Sequence, residues 1–280
     1  MVSSESITMR AGIYVYGLAT VAAGIMDLIW GDFEPAHQPI QSFGDHIPGR
    51  ETFAYIIAVW MVGGGATILS RRTARAGAAA VAVVYLIFAI FWLPRLYTAP
   101  RILGFRIPVL IGVLAGVLQQ LILVVPGVII YASLASRRTS WPEKSVVVAL
   151  WTFELGSVLF GWAHLTHLTR VQVVASMVPK WMPLGGDFWA ILTGICFVLA
   201  GIAILLSILD VLAARLLALM LFVFSVLVLA PRVFAFPRDH VAWGSNAYNL
   251  AAVGAAWMTA EAIASRHGKR GQYTEAWFAD

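Results

Sequence analysis

Eight apolar stretches of about 20 residues each divide this chain, at roughly 11–31, 52–70, 77–93, 105–133, 145–165, 187–207, 211–230 and 245–265. Their apolar positions are continuous and do not alternate with a period of two. The pattern therefore predicts helices crossing a membrane, not the strands of a barrel. It also repeats with a shift of 137 residues: Pro94-Arg95-Leu96-Tyr97-Thr98-Ala99-Pro100-Arg101 returns as Pro231-Arg232-Val233-Phe234-Ala235-Phe236-Pro237-Arg238. Without a gap, the same shift superposes Gly24 on Gly161, Gly49 on Gly186, Gly64 on Gly201 and Ser70 on Ser207. Two copies of one four-helix unit follow, at 1–135 and 145–280, joined by the polar linker 136–144. An even number of spans per copy makes the halves parallel, with a pseudo-twofold axis along the membrane normal.

Composition strengthens this all-α membrane reading. With 60% apolar residues, 12% charged residues and a mean hydropathy of +0.84, 280 residues carry too little polar surface to cover a water-soluble globule. The formal charge of +5 is then no pointer to nucleic acid. Lysine and arginine instead set orientation. Arg71-Arg72 with Arg75, and Arg137-Arg138 with Lys144, fall on the same side as both termini, which places N and C termini in the cytoplasm. The polar start at 1–10, followed by an apolar stretch without a small-residue cleavage site, reads as the approach to a first span and not as a removed signal peptide. A single cysteine, Cys196, excludes an intramolecular disulfide and a CxxC redox role. The longer connections, 31–51 and 165–187, contain or border Trp30, Phe33, Phe43, Trp181 and Phe188, and so predict amphipathic caps at the interface.

Polar residues within the apolar stretches are costly in hydrocarbon and mark candidate chemistry. Glu154 falls near mid-bilayer, facing the bundle as structural glue or as a proton carrier, with Gln119 and Gln120 at similar depth to donate to it. His164 and His167, at i and i+3, share a helix face at the end of the fifth span. Such a pair suits proton exchange, haem or metal binding, or plain contact with interfacial water. No third ligand recurs at a standard spacing, so no metal site is expected. The shift sets Asp27 opposite His164 and Trp30 opposite His167, so a site there is asymmetric.

Arg95, Arg101, Arg232 and Arg238 flank the prolines expected to end spans three and seven. Guanidinium groups there can bond carbonyls freed by proline or clamp a carbonyl-bearing or anionic head group. His240, Asn246 and Asn249 are placed to complete the same pocket.

The stretch Phe160 to His167 (F-G-W-A-H-L-T-H), followed by Val178 to Pro183 (V-P-K-W-M-P) and Gly185-Gly186, resembles the DoxX-like membrane proteins. The first half is similar in layout but carries G-x-x-D-L-x-W-G-D-F (Gly24 to Phe33) where the second half has its histidines. The resemblance implies a tandem of four-helix bundles in a prokaryotic cytoplasmic membrane. Through members named for a subunit of thiosulfate:quinone oxidoreductase, it also implies a link to quinone. The expectation is a membrane subunit that binds a quinone or similar lipid-like molecule near the outer leaflet and serves an oxidoreductase partner. The alternatives are a proton-coupled transporter using Glu154 and a structural or assembly subunit of a larger membrane complex. No Gly-rich phosphate loop, nucleophile motif or Cys pair accompanies these features, which favours an accessory subunit over a self-contained enzyme. Beyond membrane lipids and such subunits, no partner is implied.

Overall fold

The computed structural model describes residues 4–38, 48–135, 141–166 and 174–278, and every regular element among them is helical. In the first half these are α1 (Ser4–Trp30), α2 (Arg50–Ile68), α3 (Ala74–Trp92), α4 (Arg95–Leu103) and α5 (Ile107–Ser133). The second half contributes α6 (Trp141–Thr166), α7 (Gly185–Leu205), α8 (Asp210–Phe224), a π-helical turn (Ser225–Leu229), α9 (Ala230–Ala235) and α10 (His240–Phe278). Among the described residues seven helical stretches are long and apolar enough to cross a membrane: within α1, α2, α5, α6 and α7, and the continuous runs Ala74–Leu103 and Asp210–Ala235.

The eighth apolar stretch lies within α10, which falls short of those seven in apolarity. Its surroundings explain why: Ala251, Ala255, Ala256, Met258 and Ala260 are at most 1% exposed, so this stretch of the helix faces protein. Small residues there let neighbouring backbones approach. With it the chain closes a ring. Helix α1 packs on α2, α2 on α3, α3 on α5, α5 on α6, α6 on α7, α7 on α8, α8 on α10, and α10 returns to α1. Helices α5 and α10 also touch each other across the ring. The first helix of each half thus packs heavily on the last helix of the other, and the core crosses the expected boundary at 136–144, of which 136–140 lie outside the described residues.

Pro94 and Pro231 bend the chain without ending its helical course. Around Pro94 the turn tightens, with Leu93 N–H donating to Ile90 O (3.0 Å) and Leu96 N–H to Leu93 O (2.9 Å), and α4 begins at once. Before Pro231 the helix widens into the π turn, the usual device for absorbing a missing donor in an apolar setting.

The segment after α1 also departs from expectation. Gly31 adopts a left-handed φ of 64°, which turns the chain sharply at the helix end, and the segment that follows folds Phe33, Glu34 and Gln38 inward while Pro35 and Ala36 stay exposed. Phe33 is fully buried against Phe53 and Phe88, and Glu34 and Gln38 are each 1% exposed. Arg50, at the start of α2, ties this segment down through a two-point bond to Asp32 (Nη2–Oδ2 2.5 Å, Nε–Oδ1 3.0 Å). By contrast Trp181 and Phe188 stay exposed, as a cap residue should. Phe43 lies outside the described residues.

Candidate functional site

A cavity of about 370 Å³ opens inside the ring, between the inward-folded segment of the first half and helices α6, α7 and α8 of the second. Its walls are mostly aromatic and aliphatic: Trp92, Phe153, Phe160, Phe197 and Phe224 among them. Polar groups reach it from several elements, including His37 from the 31–38 segment, Gln119 from α5, Ser157 and His164 from α6, and Tyr248 and Asn249 from α10.

His37 is the most constrained of these. Its Nδ1 lies 2.8 Å from Glu34 Oε2, its ring stacks on Tyr248 at 4.7 Å between centroids, and its carbonyl accepts from Gln120 Nε2 (2.8 Å) and Trp92 Nε1 (3.4 Å). Glu34 in turn accepts from the backbone N–H of Ala36 (3.1 Å) and of His37 (2.6 Å), while its own N–H donates to Gln38 Oε1 (2.7 Å). Burial pushes the Glu34 carboxyl up, but the His37 imidazole and these N–H donors outweigh it and hold the group below the ordinary carboxylate range. The first turn of α10 lies directly over it: a Cβ added at Gly244 would collide with Glu34 Cγ, so only glycine admits the carboxylate here.

Behind His37 the polar network continues to the end of α1. Gln38 Nε2 donates to Asp27 Oδ2 (2.6 Å), and His240 Nε2 lies 3.3 Å from Asp27 Oδ1, with the His240 ring stacked on Trp30 at 4.8 Å. Asp27 and His240 are 1% and 8% exposed, so the pair is enclosed by protein.

The expected site residues distribute as follows. His164 lines the cavity, its ring between Phe160 (4.6 Å) and Phe197 (6.1 Å) and its Nδ1 3.2 Å from Phe160 O; His167 lies outside the described residues. Asn249 lines the cavity and donates to Leu221 O (2.7 Å) and Ser225 Oγ (2.8 Å), bracing the π turn. Asn246 is half-buried on the same helix and does not line the cavity, and His240 sits in the Asp27 network.

The arginines do not converge. Arg95 is buried with its guanidinium 3.9 Å from the Trp92 ring centroid, so it backs a cavity wall. Arg101 covers Tyr97 (3.8 Å), Arg232 is half-buried on α9, and Arg238 is exposed. Glu154 is buried but faces away from the cavity; its charged neighbours are Arg266 and Asp210, and neither glutamine bonds to it, since Gln120 clamps His37 and Gln119 faces the cavity. Among the described residues no three His, Cys, Asp or Glu side chains form a group able to hold a metal ion.

Glu34, His37, Asp27 and Tyr248 are the components that the apolar pattern did not single out as a site. A local signal exists in Glu34-Pro35-Ala36-His37, where an acid followed by proline marks the start of a helical turn and a polar residue three positions on can return to it. No protein-family model matches this chain, and no match was found among the curated proteins or the solved structures. Its function therefore has to be argued from this cavity.

Proposed function

We propose that this chain is an eight-span membrane protein, built of two parallel four-helix units about a pseudo-twofold axis and lying N-in and C-in in a prokaryotic cytoplasmic membrane. In this reading it binds a quinone or similar lipid-like molecule in the cavity and serves an oxidoreductase system as an accessory subunit. The eight-span reading takes α10 as the central, protein-facing span. The repeat is supported by helix bounds that recur near the 137-residue shift, α1 to α6 and α2 to α7 (Arg50–Ile68 and Gly185–Leu205). It is further supported by Gly24 and Gly161, which occupy the same kind of crossing: a Cβ at either would press on a backbone carbonyl of the next helix, Ala58 O and Gly194 O respectively.

The observation that carries the ligand reading is the cavity's composition. Apolar and aromatic walls enclose it, while a few polar groups, two imidazoles among them, arrive from different helices, the usual build of a site for a largely apolar molecule with a polar head. A second groove of about 370 Å³ supports a long tail. Leucine, isoleucine and alanine side chains with Cys196 and Met220 line it between α7 and α8, and Leu217 and Met220 border both spaces. A head group held beside His37 and His164 would have an apolar route for its tail toward the lipid. Glu154 stands apart from this route, so the cavity lends no support to a transport role for that residue.

The test is mass spectrometry of small molecules retained after purification in mild detergent, with an absorption scan of the same sample. A retained quinone or prenylated aromatic supports the proposal. A protein that purifies folded but empty, and binds no added short-tailed benzoquinone, refutes it.

A further inference from the structure

Among the described residues two histidines line the cavity, and the structure distinguishes them. His164 is held by its own helix through Phe160 O and by two phenylalanine rings. His37 is held by a carboxylate, with Nδ1 on Glu34 Oε2 at 2.8 Å; its side chain is 17% exposed, and the residue lines the cavity. When Nδ1 carries its proton toward a carboxylate, Nε2 is the nitrogen left to a ligand.

We propose that His37 and Glu34 are the proton-exchanging pair of this cavity, His37 Nε2 meeting the oxygen of a bound quinol or quinone head and Glu34 positioning the ring. This rests on the reading that the cavity takes such a molecule. With Nε2 bare, the pair accepts a hydrogen bond from a hydroxyl and then its proton: the ligand O–H bond breaks, its electron pair stays on oxygen, and an N–H bond forms at Nε2. With Nε2 protonated, the same nitrogen donates to a carbonyl. The resulting imidazolium is matched by the Glu34 carboxylate beside it and by the Tyr248 face stacked on it at 4.7 Å. Phe33, Ala54 and Phe88, which surround the base of the segment, are fully buried, so the pair is held on a rigid support and not on a surface loop.

The groups that can bias this exchange come from every neighbouring element. Glu34 is on its own segment. Tyr248 stacks from α10, and Tyr85 on α3 meets Tyr248 edge-on at 6.1 Å. Asp27 on α1 and His240 on α10 act through Gln38, Arg95 on α4 lies behind Trp92, and His164 on α6 shares the cavity.

The experiment measures binding of a short-tailed benzoquinol and of its benzoquinone to the detergent-solubilised full chain, by calorimetry, across about pH 5.5 to 8.5, the range in which imidazole titrates. Quinol affinity should rise with pH as Nε2 loses its proton, and quinone affinity should fall over the same interval. His37→Gln should weaken quinol binding by about tenfold, the scale of one lost hydrogen bond, and flatten both profiles. Glu34→Gln should keep both slopes but move their midpoint to lower pH, because the imidazolium loses its counter-charge. His164→Gln should leave the slopes in place.

Opposed profiles that survive in His37→Gln would overturn the pair while leaving the cavity reading intact, and an unmoved midpoint in Glu34→Gln would remove Glu34 from the role. Wild-type protein that binds neither probe sinks both readings. A further measurement needs neither ligand nor variant: 15N spectra of the histidine rings should show His37 protonated at Nδ1, and a ring protonated at Nε2 alone refutes the pair.

Discussion

Replacing Glu34 with alanine should cost this protein more stability than any other single change in the 31–38 segment. The side chain accepts three bonds, from Ala36 N–H, His37 N–H and His37 Nδ1, and all three are partly buried around an acceptor that is 1% exposed. Bonds to a charged acceptor contribute roughly 1.5–3 kcal/mol each, so simple addition gives about 4.5–9 kcal/mol. Neighbouring terms do not add fully and the backbone can relax, so about 4 kcal/mol, just under the low end, is the expectation. For a chain of this size that is roughly 8 °C or more in Tm, read by tryptophan fluorescence and size exclusion on heating in mild detergent. Glu34→Gln keeps one acceptor oxygen and should lose about half as much.

The pH dependence has a definite sign. Because the folded protein holds this carboxyl below its ordinary value of 4.5, the stability it supplies is fully present above pH 4.5 and fades as pH falls through the lower folded value. Wild type should therefore lose Tm on acidification in that window, and the Gln variant should lose less. A Tm for Glu34→Ala within about 1 °C of wild type, well under the shift expected for one lost bond, would refute the assignment of these bonds.

Two further outcomes follow from the packing. Gly244→Val should destabilise by about 1–3 kcal/mol through overpacking on Glu34, and pairing it with Glu34→Ala should recover part of that loss; equal losses with and without Glu34 would contradict the contact. Leu217→Trp should close the junction between the cavity and the groove, so that a long-tailed quinone loses affinity while a short-tailed one keeps it, measured by displacement; equal loss for both would show that the groove takes no tail.

Much of the fold is legible in the chain because the apolar runs are long: α5 occupies Ile107–Ser133 where 105–133 was expected, and α7 occupies Gly185–Leu205 against 187–207. Helix azimuth is harder to read. Phe153, Ser157, Phe160 and His164 recur at the spacing of one helix face and line the cavity, whereas Glu154, one residue and about 100° further round, turns toward Arg266 and Asp210. Depth alone could not separate them. The 31–38 segment was obscure for another reason. Its aromatic and polar residues suit an interface as well as a core, and what draws it inward is distant in sequence: Phe88, Gln120 and Gly244. Lower apolarity in α10 likewise reads as a weaker span until its buried surroundings are known.

On the proposed repeat, an asymmetric filling decides how many molecules the frame can hold. Two related units offer two related interior spaces. In the first half, the space beneath the end of α1 is taken by the protein itself: Phe33 fills it, Tyr85 and Phe88 are fully buried around it, and Asp27 accepts from Gln38 with His240 3.3 Å from its other oxygen. In the second half, the position equivalent to Asp27 is His164, and it faces the open cavity. The first half's segment further delivers His37 into that same cavity, where the residue 137 positions on, Val174, forms wall. One half thus acts as plug and donor of chemistry while the other supplies room, and the consequence is stoichiometric. Ligand titration of the purified chain should saturate at one molecule per chain, since a second could enter only by displacing residues 32–38 from the core they complete.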